Sequence, residues 1–100
     1  MYIILWEFQV KADTRAEFES AYASNGTWAE LFKKSPNYLG TELLHDENDS
    51  SRYLTIDRWV SKGAYEAFRS QWKTDYTQLD EACTELTERE SLLGVWESVS

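Results

Sequence analysis

Residues 2–10 read YIILWEFQV, an unbroken run of β-branched, aromatic and long apolar side chains. This is strand composition. Successive strand residues point to opposite faces. Tyr2, Ile4, Trp6, Phe8 and Val10 therefore share one face, and Ile3 and Leu5 the other. A strand apolar on both sides requires cover on both sides. That requirement constrains the fold more than any other feature of the chain. The run is short, follows no basic segment and is cut by Glu7, so it reads as neither a signal peptide nor a membrane span.

At 100 residues the chain predicts one domain over residues 1–100, with one core between two layers. Thr14-Arg15-Ala16-Glu17 and Thr27-Trp28-Ala29-Glu30 fit capping boxes, in which a Thr hydroxyl and a Glu carboxylate satisfy free helix N–H groups. They predict two short helices separated by Asn25-Gly26, the second ended by Ser35-Pro36-Asn37. Tyr38–His45 and Arg52–Val60 read as a pair of strands joined by a polar turn. Ser61 is placed to cap a long amphipathic helix carrying Tyr65, Phe68, Trp72, Tyr76, Leu79, Cys83 and Leu86 at steps of three and four, with a kink or split near Thr74 and Asp75. Leu92–Val99 is the predicted closing strand.

The order β, broken α, β, β, long α, β predicts an α+β, ferredoxin-like βαββαβ domain: a four-stranded antiparallel sheet with helices on one face. The uncovered face, apolar at Ile3, Leu5 and Trp96, predicts an identical sheet from a second subunit about a two-fold axis. The expected assembly is a homodimer.

Composition removes several function classes. Eighteen acidic against ten basic residues give a net charge of −8, which repels phosphate backbones and anionic membrane surfaces. One Cys excludes an intramolecular disulfide, and one His excludes a multi-His metal site within the chain. No dinucleotide-binding glycine pattern, zinc spacing or nucleophile elbow occurs. No cofactor is expected: no flavin, no haem and no transition metal. The lone Cys and the missing export signal predict a cytoplasmic protein.

The stretches Ile4-Leu5-Trp6-Glu7-Phe8, Pro36-Asn37-Tyr38-Leu39-Gly40-Thr41-Glu42-Leu43 and Tyr53-Leu54-Thr55-Ile56-Asp57-Arg58-Trp59 carry a resemblance, together with Ser61 and Ala64-Tyr65-Glu66-Ala67-Phe68. In these segments the chain resembles the antibiotic biosynthesis monooxygenase family of the dimeric α+β-barrel superfamily. The resemblance implies a small oxygenase that turns an aromatic quinol or anthrone into a quinone without metal or flavin, the deprotonated substrate itself reacting with O2. It implies a site at Trp59 and Tyr65, with Thr55 standing where that group carries an amide. Another branch degrades haem with an Asn, a Trp and an axial His. The positions here are approximately Glu7, Phe68 and Gln78, and none matches.

Each candidate has two readings. Trp59 and Tyr65 line a pocket, with Phe68 and Trp72 as its apolar wall, or they pack as core. Glu7, Glu42 and Asp57 are strand carboxylates that either serve as a buried base and substrate contact or pair with Arg52 and Arg58. His45 is a base near neutral pH or a solvated turn residue. Cys83 reads as a small core residue. Asp80, Glu81, Glu85, Glu88 and Glu90 read as a solvated helix face. The function expected is a cofactor-independent monooxygenase acting on a small aromatic molecule. The alternatives are a non-catalytic dimer that binds a hydrophobic ligand and a dimerisation module with a filled interior.

Overall fold

The computed structural model describes residues 1–99. Strand β1 (Tyr2–Val10) leads through a turn of 3-10 helix into α1 (Arg15–Tyr22) and α2 (Thr27–Phe32). Strands β2 (Tyr38–His45) and β3 (Arg52–Trp59) form the hairpin. Helices α3 (Lys62–Gln71) and α4 (Lys73–Cys83) follow, and β4 (Thr87–Glu97) closes the sheet. The sheet is antiparallel, in the order β2-β3-β1-β4. The most apolar strand thus lies in its interior. This is the expected ferredoxin-like α+β architecture.

The local devices differ from the expected ones in four places. Thr14 makes no cap bond; its hydroxyl donates to the Lys11 and Leu86 carbonyls, tying the start of α1 to the chain just ahead of β4. Thr27 is already inside α2, and Gly26 is the N-cap. The long helix divides at Trp72, ahead of Thr74 and Asp75, because Trp72 leaves helical geometry at φ −109° and ψ 30°. Strand β4 begins at Thr87 rather than Leu92, so Glu88 and Glu90 belong to a strand and not to a helix face. Ser61 caps α3 as expected, accepting from the Ala64 N–H at 3.1 Å.

The core is aromatic. Phe18, fully buried, stacks on Tyr22 with ring centroids 4.3 Å apart and meets Phe8 and Tyr53. Tyr53 donates its hydroxyl to Glu19, and burial, reinforced by that bond, pushes its pKa up to about 12. Cys83 is buried, as expected, and burial raises its thiol pKa. His45 stacks flat on Tyr53 at the exposed hairpin end, its Nε2 2.8 Å from the Ser50 carbonyl oxygen.

Gly26 sits where α1 and α2 meet. A Cβ there would lie 2.5 Å from the Ser20 carbonyl oxygen and 2.8 Å from that of Ala21. Both neighbours are backbone, so one helix must move. Gly26→Ala is expected to cost roughly 1–3 kcal/mol, read as a lowered denaturant midpoint at unchanged slope.

The face opposite the helices carries a diagonal apolar stripe. Trp96 on β4 lies beside Ile3, Leu5 beside Ile56, and Leu54 beside Leu44. Trp96 is 59% exposed. Its indole lies over Gly94, where a Cβ would come within 3.3 Å of Nε1. Ion pairs flank the stripe: Arg58 with Glu42 at 2.5 Å on one side, and Arg52 with Glu7 at 2.5 Å and Asp46 at 3.0 Å on the other. Among the described residues no helix is long and apolar enough to cross a membrane.

Candidate functional site

A cavity of about 240 Å³ lies between the helix-facing side of the sheet and the helical layer. Trp6 and Phe8 of β1, Trp28 and Phe32 of α2, Tyr22 of α1 and Tyr76 of α4 give it aromatic walls. Its polar floor is Thr41, Thr55 and Asp57, from β2 and β3. Strand parity puts Thr55 and Asp57 on the same side as Trp59, and the hairpin register sets Thr41 directly opposite Asp57.

Asp57 is only 8% exposed and, among the described residues, pairs with no cation. Its Oδ1 accepts from the Thr41 hydroxyl at 2.6 Å, and the Tyr38 hydroxyl lies 2.5 Å from Thr41 Oγ1. Burial raises the Asp57 pKa to about 6, the Thr41 bond opposing part of the shift. A carboxyl in that range can take a proton at neutral pH and return it.

Arg69 lines the cavity from α3. Its guanidinium donates to the Tyr65 hydroxyl at 3.0 Å and lies 3.8 Å from the centre of the Tyr76 ring, which orients a side chain that is otherwise free to move. Asp80 and Glu90 stand at the mouth on exposed residues. Desolvation and the neighbouring Asp80 raise the Glu90 pKa.

Of the seven predicted site residues, Thr55 and Asp57 line the cavity. Trp59 is fully buried one layer behind, with its ring centroid 5.1–5.4 Å from those of Phe32, Tyr38, Tyr65 and Phe68. Phe68 is buried in the same cluster. Tyr65 does not line the cavity but adjoins two residues that do, Arg69 and Tyr76, and the Trp72 ring lies under Lys34 Nζ at 4.6 Å. Glu7 points to the opposite face of the sheet, because its odd position on β1 sets it against Leu54 and places its carboxylate on Arg52. The expected pairing with arginine therefore holds for Glu7 and Glu42 and fails for Asp57, whose neighbour Arg58 points the other way. The three positions of the haem-degrading branch are dispersed: Glu7 on the far face, Phe68 in the core, and Gln78 on an outer groove between α2 and α4. Among the described residues no group of three His, Cys, Asp or Glu side chains converges to hold a metal.

Thr41, Arg69 and Tyr76 were not among the predicted site residues. Tyr76 lay on the apolar helical stripe. Thr41 carried no such signal, because its position depends on pairing across the hairpin.

The architecture defines a class: a ferredoxin-like α+β domain that encloses an aromatic pocket between sheet and helices, with a buried carboxylate on the third strand. Residues 1–74 match the family model described as antibiotic biosynthesis monooxygenase, and the chain belongs to that family. It is similar in structure to SnoaB, a cofactor-independent oxygenase from Streptomyces nogalater, with a TM-score of 0.80 at 21% identity over 99% of this chain and 93% of that one. A variant of MhuD with two manganese protoporphyrin IX bound per active site superposes with a TM-score of 0.72 at 23% identity, over 100% of this chain and 96% of that one. A further antibiotic biosynthesis monooxygenase gives 0.68 at 15% identity over the full length of both chains. These likenesses establish a shared fold. Among curated proteins no sequence match was found.

Proposed function

We propose that this protein is a cofactor-independent oxygenase whose substrate is a small, flat, electron-rich aromatic molecule of the quinol or anthrone type. The observation that carries the reading is Asp57, a buried carboxyl with no cationic partner among the described residues, on the floor of an aromatic-walled cavity. Family membership and the oxygenase SnoaB among the structural relatives support it.

For an anthrone, Asp57 takes a proton from the ring methylene, and Arg69 pairs with the enolate oxygen. The electron-rich anion passes one electron to O2. Radical and superoxide combine to a peroxide anion at that carbon, which Asp57 protonates to the hydroperoxide with the proton it first removed. Asp57, again ionised, takes the second C–H proton as the O–O bond breaks, and the departing hydroxide receives that proton and leaves as water. One CH2 and one O2 give one carbonyl and one water, the substrate supplying all the electrons. Trp6 and Phe8 offer faces for stacking, which suits a planar ring system better than a sugar or a phosphate.

The test is oxygen uptake with a panel of anthrones and hydroquinones. The expected result is enzyme-dependent consumption of one O2 per quinone formed, with one labelled atom from 18O2 retained in the product of each anthrone. Tight binding of the same compounds without uptake would replace the oxygenase by the non-catalytic binder.

We also infer that the diagonal stripe through Trp96, Ile3, Leu5, Ile56, Leu54 and Leu44 meets the same stripe of a second copy. The stripe is contiguous, and a two-fold axis requires one patch to match itself. The interface is expected to be on the order of 2,000 Å² in total. Sedimentation at micromolar concentration should give a dimer, and Trp96→Glu should shift it toward monomer. A wild-type chain sedimenting as a monomer would remove this assembly.

A further inference from the structure

Tyr38 and Thr41 are three residues apart on β2, a spacing that ordinarily sends side chains to opposite faces of a strand. Here both face the helices. Tyr38 lies opposite Trp59 and Thr41 opposite Asp57, because the register shifts by one residue between Tyr38 and Gly40. Gly40 carries φ +134°, a conformation that side chains with a Cβ rarely adopt. The bulge thus brings two hydroxyls and a carboxylate into one line across the hairpin.

The hydrogen-bond directions follow from the proton count. Thr41 has one hydroxyl proton and donates it to Asp57 Oδ1. The Tyr38 hydroxyl, 2.5 Å from Thr41 Oγ1, must then be the donor to Thr41. Burial raises the Tyr38 pKa, which keeps that donor protonated. Each bond polarises the next.

We propose that Thr41 and Tyr38 are positioning residues for Asp57: the chain Tyr38 to Thr41 to Asp57, built by the Gly40 bulge, holds Oδ1 in place and leaves Oδ2 to the cavity as the proton acceptor. This rests on the oxygenase reading for its catalytic meaning, but the hydrogen-bonded chain itself is testable without any substrate. The other titratable groups lining the cavity are Tyr22 on α1, Arg69 on α3, Tyr76 and Asp80 on α4, and Glu90 on β4.

The experiment is a titration of the Asp57 carboxyl carbon by NMR in the wild-type protein and in Thr41→Val, Thr41→Ser and Tyr38→Phe, paired with pH profiles of kcat/KM. Thr41→Val deletes a bond to the charged form, so the Asp57 titration should move upward by about one to two pH units. The acid limb of kcat/KM should move with it. Thr41→Ser keeps the hydroxyl and should restore both. Tyr38→Phe should move them in the same direction by roughly half a unit. An Asp57 titration unmoved in a folded Thr41→Val protein, or moved equally in Thr41→Ser, would overturn the proposal. If Thr41→Val does not fold, an unmoved titration in Tyr38→Phe together with a shifted one in Thr41→Ser overturns it as well. Shifted titrations in a protein that consumes no oxygen with any substrate would keep the hydrogen-bonded chain and sink the oxygenase reading instead.

Discussion

Asp57→Asn is expected to lower turnover steeply and to make the domain more stable, both from the same cause. In the proposed reaction Asp57 is the base, a role worth roughly 10²–10⁴-fold, and an amide cannot take the proton. The stability gain comes from burial. The Asp57 pKa lies at about 6 in the folded chain, above the ordinary carboxylate value of 3.8. Between those two pH values the folded state holds a proton that the unfolded state has released, so stability falls as pH rises through the window and levels off above it. The full loss is on the order of 3 kcal/mol for a shift of this size. Asn is neutral throughout, and its side-chain oxygen can still accept from Thr41. The variant should therefore show a shallower decline than the wild type between about pH 4 and 6 and unfold at higher denaturant at pH 7 to 8. Denaturant titrations across pH, read beside oxygen uptake, check both halves. Full activity in Asp57→Asn would place the base elsewhere. A wild-type protein whose stability does not decline across this window would show that Asp57 is not held near neutral pKa.

Trp59→Ala is expected to remove roughly 3–5 kcal/mol of stability, the usual cost of truncating a fully buried Trp. Trp59 has no exposed surface and touches four aromatic rings. Small domains hold only about 5–15 kcal/mol in total, so this variant should sit close to unfolding at room temperature. The effect on ligand binding should follow the folded fraction alone, since Phe32 and not Trp59 faces the cavity. A stable Trp59→Ala protein that has lost ligand binding would return the residue to the site.

Much of the core was legible from periodicity. The even residues of β1 were assigned to one face, and four of them (Tyr2, Ile4, Phe8 and Val10) are buried against the helices. Parity within β3 likewise groups Tyr53, Thr55, Asp57 and Trp59. Local rules failed where a distant contact outcompeted them. Thr14 leaves its capping role because the Leu86 carbonyl, 72 residues away in sequence, lies 2.7 Å from its hydroxyl. The site was only half legible for a similar reason. Trp59 and Tyr65 stand out in the sequence as large aromatic residues beside a strand–helix junction. Size and hydrophobicity are also what bury Trp59 in the core, and the smaller, polar Thr55 and Asp57 are left at the cavity floor.

The sequence by itself determined the element order, the antiparallel α+β plan and the need to cover a two-sided strand, because all three follow from side-chain periodicity along the chain. Which of the three strand carboxylates is left without an arginine was decided only in three dimensions. That outcome depends on register: Glu7 and Glu42 fall on the face that carries Arg52 and Arg58, while Asp57 falls opposite Thr41 on the other. The bulge at Gly40 that brings Tyr38 to the same carboxylate is likewise a property of how β2 pairs with β3. Pairing across strands has no counterpart in the spacing of residues within one strand, so the chemistry of the cavity emerges only when the sheet closes.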